Sequence, residues 1–469
     1  MKQLIITTLL FLLFSSSVFG QSLDNYLMTA AENNPNLKAT FLKYQVALER
    51  IPQVGALPDP QLSFSIFIQP MERFAGNQVG SISIMQMFPW IGTLKAAKEE
   101  MSLMAKAEFE AFNETKAMLF YDVKITWYAI LQLNKEIEIT YENIQLLKSL
   151  ENIALAGFKS GRQRASVSGG PGISQVRSSS GNSQQSSGMA GMNLQSQTSS
   201  NNASKEPDMN NMVRMENMSG SGNMTDVLRA QLELNELQNR LSILKESRTP
   251  LLARFNQLLN RDLAEPIILP DSVVNLDIPI PFSQFPDSII NNNPMLKMLH
   301  YEEASYIARG KMNKKMGMPM IGIGLQYDIF QPGKNSLAMM NGSNMLMPMA
   351  TVSIPIWRKK YTAAVRESEI MQDYVSKLIE SQNDKLLVNY EEAVKQFRDA
   401  ELRKKLYREQ ELIANQALNL LLVQYSTEGS NFEEVLRMQQ QLLGYRLQLL
   451  NAYIDGNISV ATLERLIGR

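Results

Sequence analysis

The chain has no cysteine and one histidine, His300, in 469 residues. A disulfide framework, a thiolate metal site, a cysteine nucleophile and a lipidated cysteine anchor are therefore excluded. One histidine cannot supply a multi-histidine metal centre, and no Ser-His-Asp set can form without position 300. Net charge is also missing, because 46 basic side chains balance 46 acidic ones. This removes the electrostatic argument for nucleic acid or a polybasic membrane surface. Gly169 and Gly170 form no phosphate loop, so the chain reads as a non-enzyme with no cofactor. Long apolar runs are absent after residue 20. Before it, Lys2, the stretch from Leu4 to Phe14, and the small residues Val18 and Gly20 read as a signal peptide over 1–20, cleaved at about Gln21. No later run approaches the roughly 20 residues of a membrane-spanning helix. A mature chain that crosses a membrane must do so with strands, since only helices and closed barrels satisfy their backbone groups in lipid.

What is present is a duplication. Asn33-Asn34-Pro35-Asn36-Leu37-Lys38 recurs as Asn292-Asn293-Pro294-Met295-Leu296-Lys297, an offset of 259 positions (294 minus 35), which also carries Pro60 onto Pro319. Phe88-Pro89-Trp90 matches Ile354-Pro355-Ile356, and a long charged helical stretch follows each. The first copy spans 21–265 and the second 287–469, joined by a linker over 266–286 that is rich in proline. Each copy follows one plan: helix, two strands, long helix, return helix.

Strands are expected at about 60–69 and 79–88, and again at about 318–330 and 346–356. Leu62, Phe64, Ile66 and Ile68 alternate with Ser63, Ser65, Phe67 and Gln69, and Ile82 and Ile84 alternate with Ser81 and Ser83. Ile321, Ile323, Leu325, Tyr327 and Ile329 do the same against Gly322, Gly324, Gln326 and Asp328. Period two over about ten residues suits a tilted transmembrane strand, and equally a half-buried sheet in a soluble domain. Four strands cannot close a barrel, so the membrane reading requires several chains.

Helices are expected at about 91–160 and 357–425, with return helices at about 223–260 and 432–467. Val123, Ile130, Ile137 and Ile144 keep a sevenfold spacing, as do Ala393, Ala400, Tyr407, Ala414 and Leu421. Val227, Ala230, Leu234, Leu237, Leu241 and Leu244 match Val435, Met438, Leu442, Tyr445, Leu449 and Ala452 at an offset of 208. These are coiled-coil seams. Helices of this extent are roughly 100 Å long at 1.5 Å per residue, more than a compact domain uses.

The duplicated plan, the Asn-Pro-x-Leu start of each copy, the proline after each strand pair and the two hairpin tips together resemble the TolC family of outer-membrane efflux channels. The tips are Phe158-Lys159-Ser160-Gly161 resuming at Thr225-Asp226-Val227-Leu228-Arg229-Ala230, and Tyr425-Ser426-Thr427-Glu428-Gly429 leading to Glu433-Glu434-Val435-Leu436-Arg437. The resemblance implies an α+β membrane protein: a homotrimer whose twelve strands form one barrel in outer-membrane lipid, continued by a periplasmic helical coiled-coil barrel. It implies a passive conduit working with a periplasmic adaptor (membrane fusion) protein and an inner-membrane pump of the RND type. It places Asp226, Tyr425 and Glu434 at a gate and Gly161 and Gly429 at adaptor-contacting tips. For the acids, a solvated helix face or a favourable helix N-terminus is the plainer reading.

The tips differ in length. Gly161 matches Gly429 at an offset of 268 and Val227 matches Val435 at 208, so about 60 residues are inserted (268 minus 208). The insertion, 162–222, is rich in Ser, Gly, Asn and Gln, and its composition predicts disorder. Most of its large side chains are methionines: Met189, Met192, Met209, Met212, Met215 and Met218, with Met224 just beyond. Thioethers are soft neutral ligands that suit Cu(I) and Ag(I). Met339, Met340 and Met345, between the third and fourth strands, are further candidates. The expected cargo is thus Cu(I) or Ag(I), as in the copper/silver branch the chain resembles. A methionine-rich adaptor surface is the competing use, while Met85, Met87, Met101, Met104 and Met118 read as ordinary packing. Drug or other small-molecule export, and a non-conducting periplasmic coiled-coil protein, remain the alternatives.

Overall fold

The computed structural model describes residues 23–73, 75–167, 224–273, 275–333, 341–428 and 431–469. Its elements are α1 (Leu23–Asn33), α2 (Pro35–Gly55), β1 (Gln61–Arg73), β2 (Gly76–Phe88), α3 (Thr93–Val167), α4 (Met224–Leu259), α5 (Phe285–Asn292), α6 (Pro294–Met316), β3 (Met320–Gln331), β4 (Met345–Ser353), α7 (Arg358–Glu428) and α8 (Phe432–Leu466). The chain divides into two compact units: Met1–Glu138 with Ser242–Glu409 and Arg446–Arg469, and Ile139–Leu241 with Gln410–Tyr445. Each unit draws on both copies of the repeat.

In the first unit, each copy opens on two helices where the sequence suggested one. The break is the duplicated Asn-Pro. Asn34 and Asn293 have extended backbone, and their side-chain oxygens accept from the N–H groups of Leu37 and Leu296 at 3.1 and 3.2 Å. A proline at the next position has no N–H to satisfy and a φ suited to the first turn. The remaining amide donates across the fold: Asn34 Nδ2 to the Leu258 carbonyl at 2.9 Å, and Asn293 Nδ2 to the Leu466 carbonyl at 3.0 Å. Leu258 and Leu466 are equivalent residues at the ends of α4 and α8. Those helices also stop in the same way, with Asn260 at φ 52 and Gly468 at φ 79. Arg261 N–H reaches Asn256 O and Arg469 N–H reaches Glu464 O, which closes the last orphan carbonyls in a Schellman arrangement.

The linker ends earlier than its prolines suggest. Pro286 lies in the first turn of α5, where proline is favoured. Ile278, Ile280 and Phe282 pack on a core that includes Phe285, Ile289, Leu296, Leu386, Tyr390, Ala393 and Leu463, and the Tyr390 hydroxyl donates to Phe282 O at 2.8 Å.

The strands form one antiparallel sheet in the order β1-β2-β3-β4. β1 runs on to Arg73, past the expected end near 69, although Pro70 lies within it. It is an edge strand, and its ladder with β2 is interrupted between Ile66 and Met71, where proline's missing donor costs nothing. β4 ends at Ser353, short of 356, where its partner runs out, since Ser353 is paired with Met320, the first residue of β3. The sheet has two unlike faces. Leu62, Phe64 and Ile66 of β1, Ile82 and Ile84 of β2, and Ile321, Ile323 and Leu325 of β3 share one face and are exposed, Ile66 at 86 %. Ser83, Gly322, Gly324, Gln326 and Asp328 share the other. There Gln78 and Gln326 both donate to one oxygen of the buried Asp328, at 3.0 and 2.7 Å. A soluble sheet buries its apolar face, whereas this one presents it. Among the described residues no helix is long and apolar enough to cross a membrane.

Candidate gate at the hairpin tips

The second unit holds both expected gate elements, the start of α4 and the α7–α8 turn. The heptad seams are its core. Ile144, Leu147 and Ala154 of α3, Val227, Ala230 and Leu237 of α4, Ala414 and Leu418 of α7, and Val435 and Leu442 of α8 are all buried. α3 continues to Val167, beyond the expected end near 160 and into the segment assigned to the insertion. Arg162, Gln163, Arg164 and Ala165 are good helix formers, and Ser168, Gly169 and Gly170 follow them.

Tyr425 is 4 % exposed, its ring 5.0 Å from that of Phe432 across the turn. The turn is made at Asn431, whose φ of 70 suits the short polar side chain of asparagine. Its carbonyl accepts from Glu434 N–H and Val435 N–H. Burial, and secondly the Asp226 carboxylate, push the Tyr425 hydroxyl up to about 12 from 10.0. Asp226 is thus within electrostatic reach of Tyr425. Glu434 is exposed and pairs with Arg437 of its own helix at 3.1 Å, and Met224 is also exposed.

The raised hydroxyl has a signed consequence. The folded tip holds this proton more tightly than an unfolded chain does, so its contribution is complete below pH 10 and disappears as pH rises through about 12. The difference between the phenolate absorbance titrations of the wild type and Tyr425→Phe should show a midpoint near 12. A midpoint near 10 would mean that the hydroxyl is solvated.

The link between the two tips was not anticipated from the sequence. Arg229 Nη1 of α4 reaches Glu433 of α8 at 2.7 Å. A signal existed, since Asp226-x-x-Arg229 and Glu434-x-x-Arg437 are the same acid-x-x-arginine at the offset of 208. In α8 the pair closes within the helix, and in α4 the arginine turns to its neighbour. Gln440 to Glu233 at 2.7 Å, Gln231 to Glu151 at 2.9 Å, and Gln439 to Asn143 add further links between helices. Because Arg229 and Glu433 are both solvated, Arg229→Ala should cost only about 0–1 kcal/mol in thermal unfolding at ordinary salt.

Gly161 lies within α3. Gly429, Met189, Met192, Met209, Met212, Met215, Met218, Met339 and Met340 lie outside the described residues, as does the signal peptide over 1–20. Met345 opens β4.

No family model matches the chain, and no curated protein matches it. Solved structures do. A membrane protein from Pseudomonas aeruginosa matches with a TM-score of 0.68 over 95 % of this chain and 92 % of its own, at 14 % identity. The structure of CusC, described in terms of transmembrane channel formation, matches with a TM-score of 0.68 over 96 % of this chain and 92 % of its own, at 13 % identity. The outer-membrane protein VceC of Vibrio cholerae gives 0.66 over 95 % and 96 %, at 11 % identity. The chain has the fold of the outer-membrane channels. The four strands set between long helices, which the TolC resemblance implied, are present in this channel fold. Other structures that match, OprN, CmeC of Campylobacter jejuni and MtrE of Neisseria gonorrhoeae, are described as outer-membrane channels.

Proposed function

We propose that the chain is one subunit of a homotrimeric outer-membrane channel, a passive conduit from the periplasm to the exterior in a tripartite pump with a periplasmic adaptor and an RND-type inner-membrane pump. The observation that carries this reading is the four-stranded sheet with its apolar face outward and two unpaired edges, β1 and β4. Free edges invite pairing with other copies. Two copies would make eight strands, whose interior side chains fill, and three make twelve and leave a lumen. β1 and β2 have 13 residues each and β3 has 12, enough for a tilted span of the bilayer. Trp90 and Trp357 stand just beyond β2 and β4 with 41 % and 85 % exposure, as interfacial anchors do.

Planar-bilayer recording tests the channel. The purified protein should give discrete conductance steps, and a non-conducting coiled-coil protein gives none. The lipid face has its own test. Ile323→Arg should cost about 2–4 kcal/mol near the bilayer midplane, whereas Gln326→Arg on the opposite face should leave the yield of membrane-inserted trimer nearly unchanged.

For the cargo we infer Cu(I) or Ag(I), from the methionines that thioether chemistry matches to soft ions. Met189, Met192, Met209, Met212, Met215, Met218, Met224, Met339, Met340 and Met345 would act as transient ligands. The competing cargo is drugs or other small organic molecules. A strain lacking the chain should become sensitive to copper and silver before it becomes sensitive to dyes and antibiotics, and the reverse order would favour the organic cargo. Gating by Asp226, Tyr425 and Glu434, with the adaptor docked about Gly161 and Gly429, completes the proposal.

A further inference from the structure

The face of the sheet opposite the apolar one is neither simply polar nor simply small. β2 brings Met85 and Met87 to it, and β4 brings Met347 and Met349. The register sets Met87 beside Gly322 and Met85 beside Gly324, while on the far side of β3 Gly324 is matched by Met349. The two glycines therefore make a floor between methionine-bearing strands.

The sulfurs use that floor. The point where a Cβ of Gly322 would stand is 2.6 Å from Met87 Sδ and 3.6 Å from Met85 Sδ. Residues two apart in a strand start roughly 6.6 Å from one another, so the Met85 side chain, whose own register partner is Gly324, has leaned towards Met87 over Gly322. The Thr351 hydroxyl donates to Met85 Sδ at 3.7 Å. Both methionines are only partly buried. Gap filling, the use their composition first suggests, does not describe them.

Two neutral sulfurs that converge on one point, with a third thioether available from the next strand, make a donor set for a soft cation of low coordination number. Hard ions have no such set here, since no group of three His, Cys, Asp or Glu side chains that would hold a metal occurs among the described residues. We propose that Met85 and Met87, whose sulfurs gather over Gly322, together with Met349, paired with Gly324 on the next strand, form a thioether site for Cu(I) or Ag(I) on the inner wall of the barrel. The proposal rests on the channel reading, which makes this face the lumen. It adds a station to the pathway, apart from the methionines already named as candidate ligands. Weak binding at separate stations suits conduction, which requires that an ion enter a site and leave it again.

The test uses the full chain, purified in detergent, with Ag(I) as the probe. Peroxide converts accessible methionines to sulfoxides, and a bound Ag(I) withdraws the sulfur lone pair from that reaction. Peptide mass spectrometry should show Met85 and Met87 protected by Ag(I), while Met28, 62 % exposed in α1, is not. In Gly322→Ala the added methyl displaces the flexible end of Met87, and the protection should be lost. In Met85→Leu/Met87→Leu, which keeps side-chain volume, Ag(I) affinity at this station, read as protection of Met349, should fall by at least about tenfold. Equal oxidation of Met85 and Met87 with and without Ag(I), or unchanged protection in Gly322→Ala, would overturn the site. Conductance separates this from the wider reading: a conducting trimer without protection loses only the station, and a non-conducting protein loses the channel.

Discussion

Removing residues 168–222 should bring the copper and silver tolerance conferred by the chain down towards that of a strain lacking it, while the yield of membrane-inserted trimer stays unchanged. The two halves of this expectation have separate physical grounds. The segment is bounded by α3 and α4 and is poor in apolar side chains other than methionine. The seam residues that hold the second unit together, Leu147, Ala154, Val227, Ala230 and Val435, all lie outside it. Assembly should therefore not notice the deletion. The metal half rests on the sulfurs: Met209, Met212, Met215 and Met218 fall at every third position, so a short stretch can wrap several soft ligands around one ion. Growth on graded copper and silver, with trimer scored from the membrane fraction, checks both halves. Unchanged tolerance would transfer the segment to adaptor binding and leave the soft-ion role to the methionines outside it. Lost trimer would mean that the segment contributes to assembly.

Asn293→Ala should destabilise the protein by about 2–4 kcal/mol, and Asn34→Ala should do the same in the first copy. Each side chain serves two helices at once. As an N-cap it satisfies the Leu296 or Leu37 amide, a role worth about 1 kcal/mol. Its amide nitrogen also satisfies the carbonyl of Leu466 or Leu258, and Asn293 is only 3 % exposed. Truncation leaves that acceptor without its partner, at about 1–3 kcal/mol. Aspartate separates the two roles, because Asn293→Asp keeps the cap and loses the donor. Thermal unfolding of the protein should rank the wild type first, with Asn293→Ala and Asn293→Asp both clearly below it. A melting temperature that alanine leaves unchanged would show that the clasp does not hold the repeat.

Much of this architecture was legible before any coordinates. The Asn-Asn-Pro motif, the offset of 208 between the return helices and the sevenfold spacing from Val123 to Ile144 all survive as elements, and most of the seam positions are buried. What the motif was for was not legible. Asn34 could be seen to repeat, but the carbonyl it grips lies in Leu258, and a cap in the middle of one apparent helix makes two helices of it. Pro70 misled for a related reason. A proline reads as the end of a strand, and only the ladder reveals an edge strand interrupted between Ile66 and Met71. At the tips, Asp226 and Glu434 are equivalent by offset, yet the charge of one acts on the buried Tyr425 and the other pairs with an arginine of its own helix.

The sequence by itself determined the duplication, the coiled-coil seams, the alternation of the strands and the position of the inserted methionines, because each is a period or an offset along the chain. The tertiary structure alone decided which face of the sheet is uncovered, that the clasps close on the return helices, and that Met85 and Met87 share one point over Gly322. Those depend on the register between segments hundreds of residues apart. A local pattern assigns a side chain to a face, but only the pairing of strands says which side chain stands next to it.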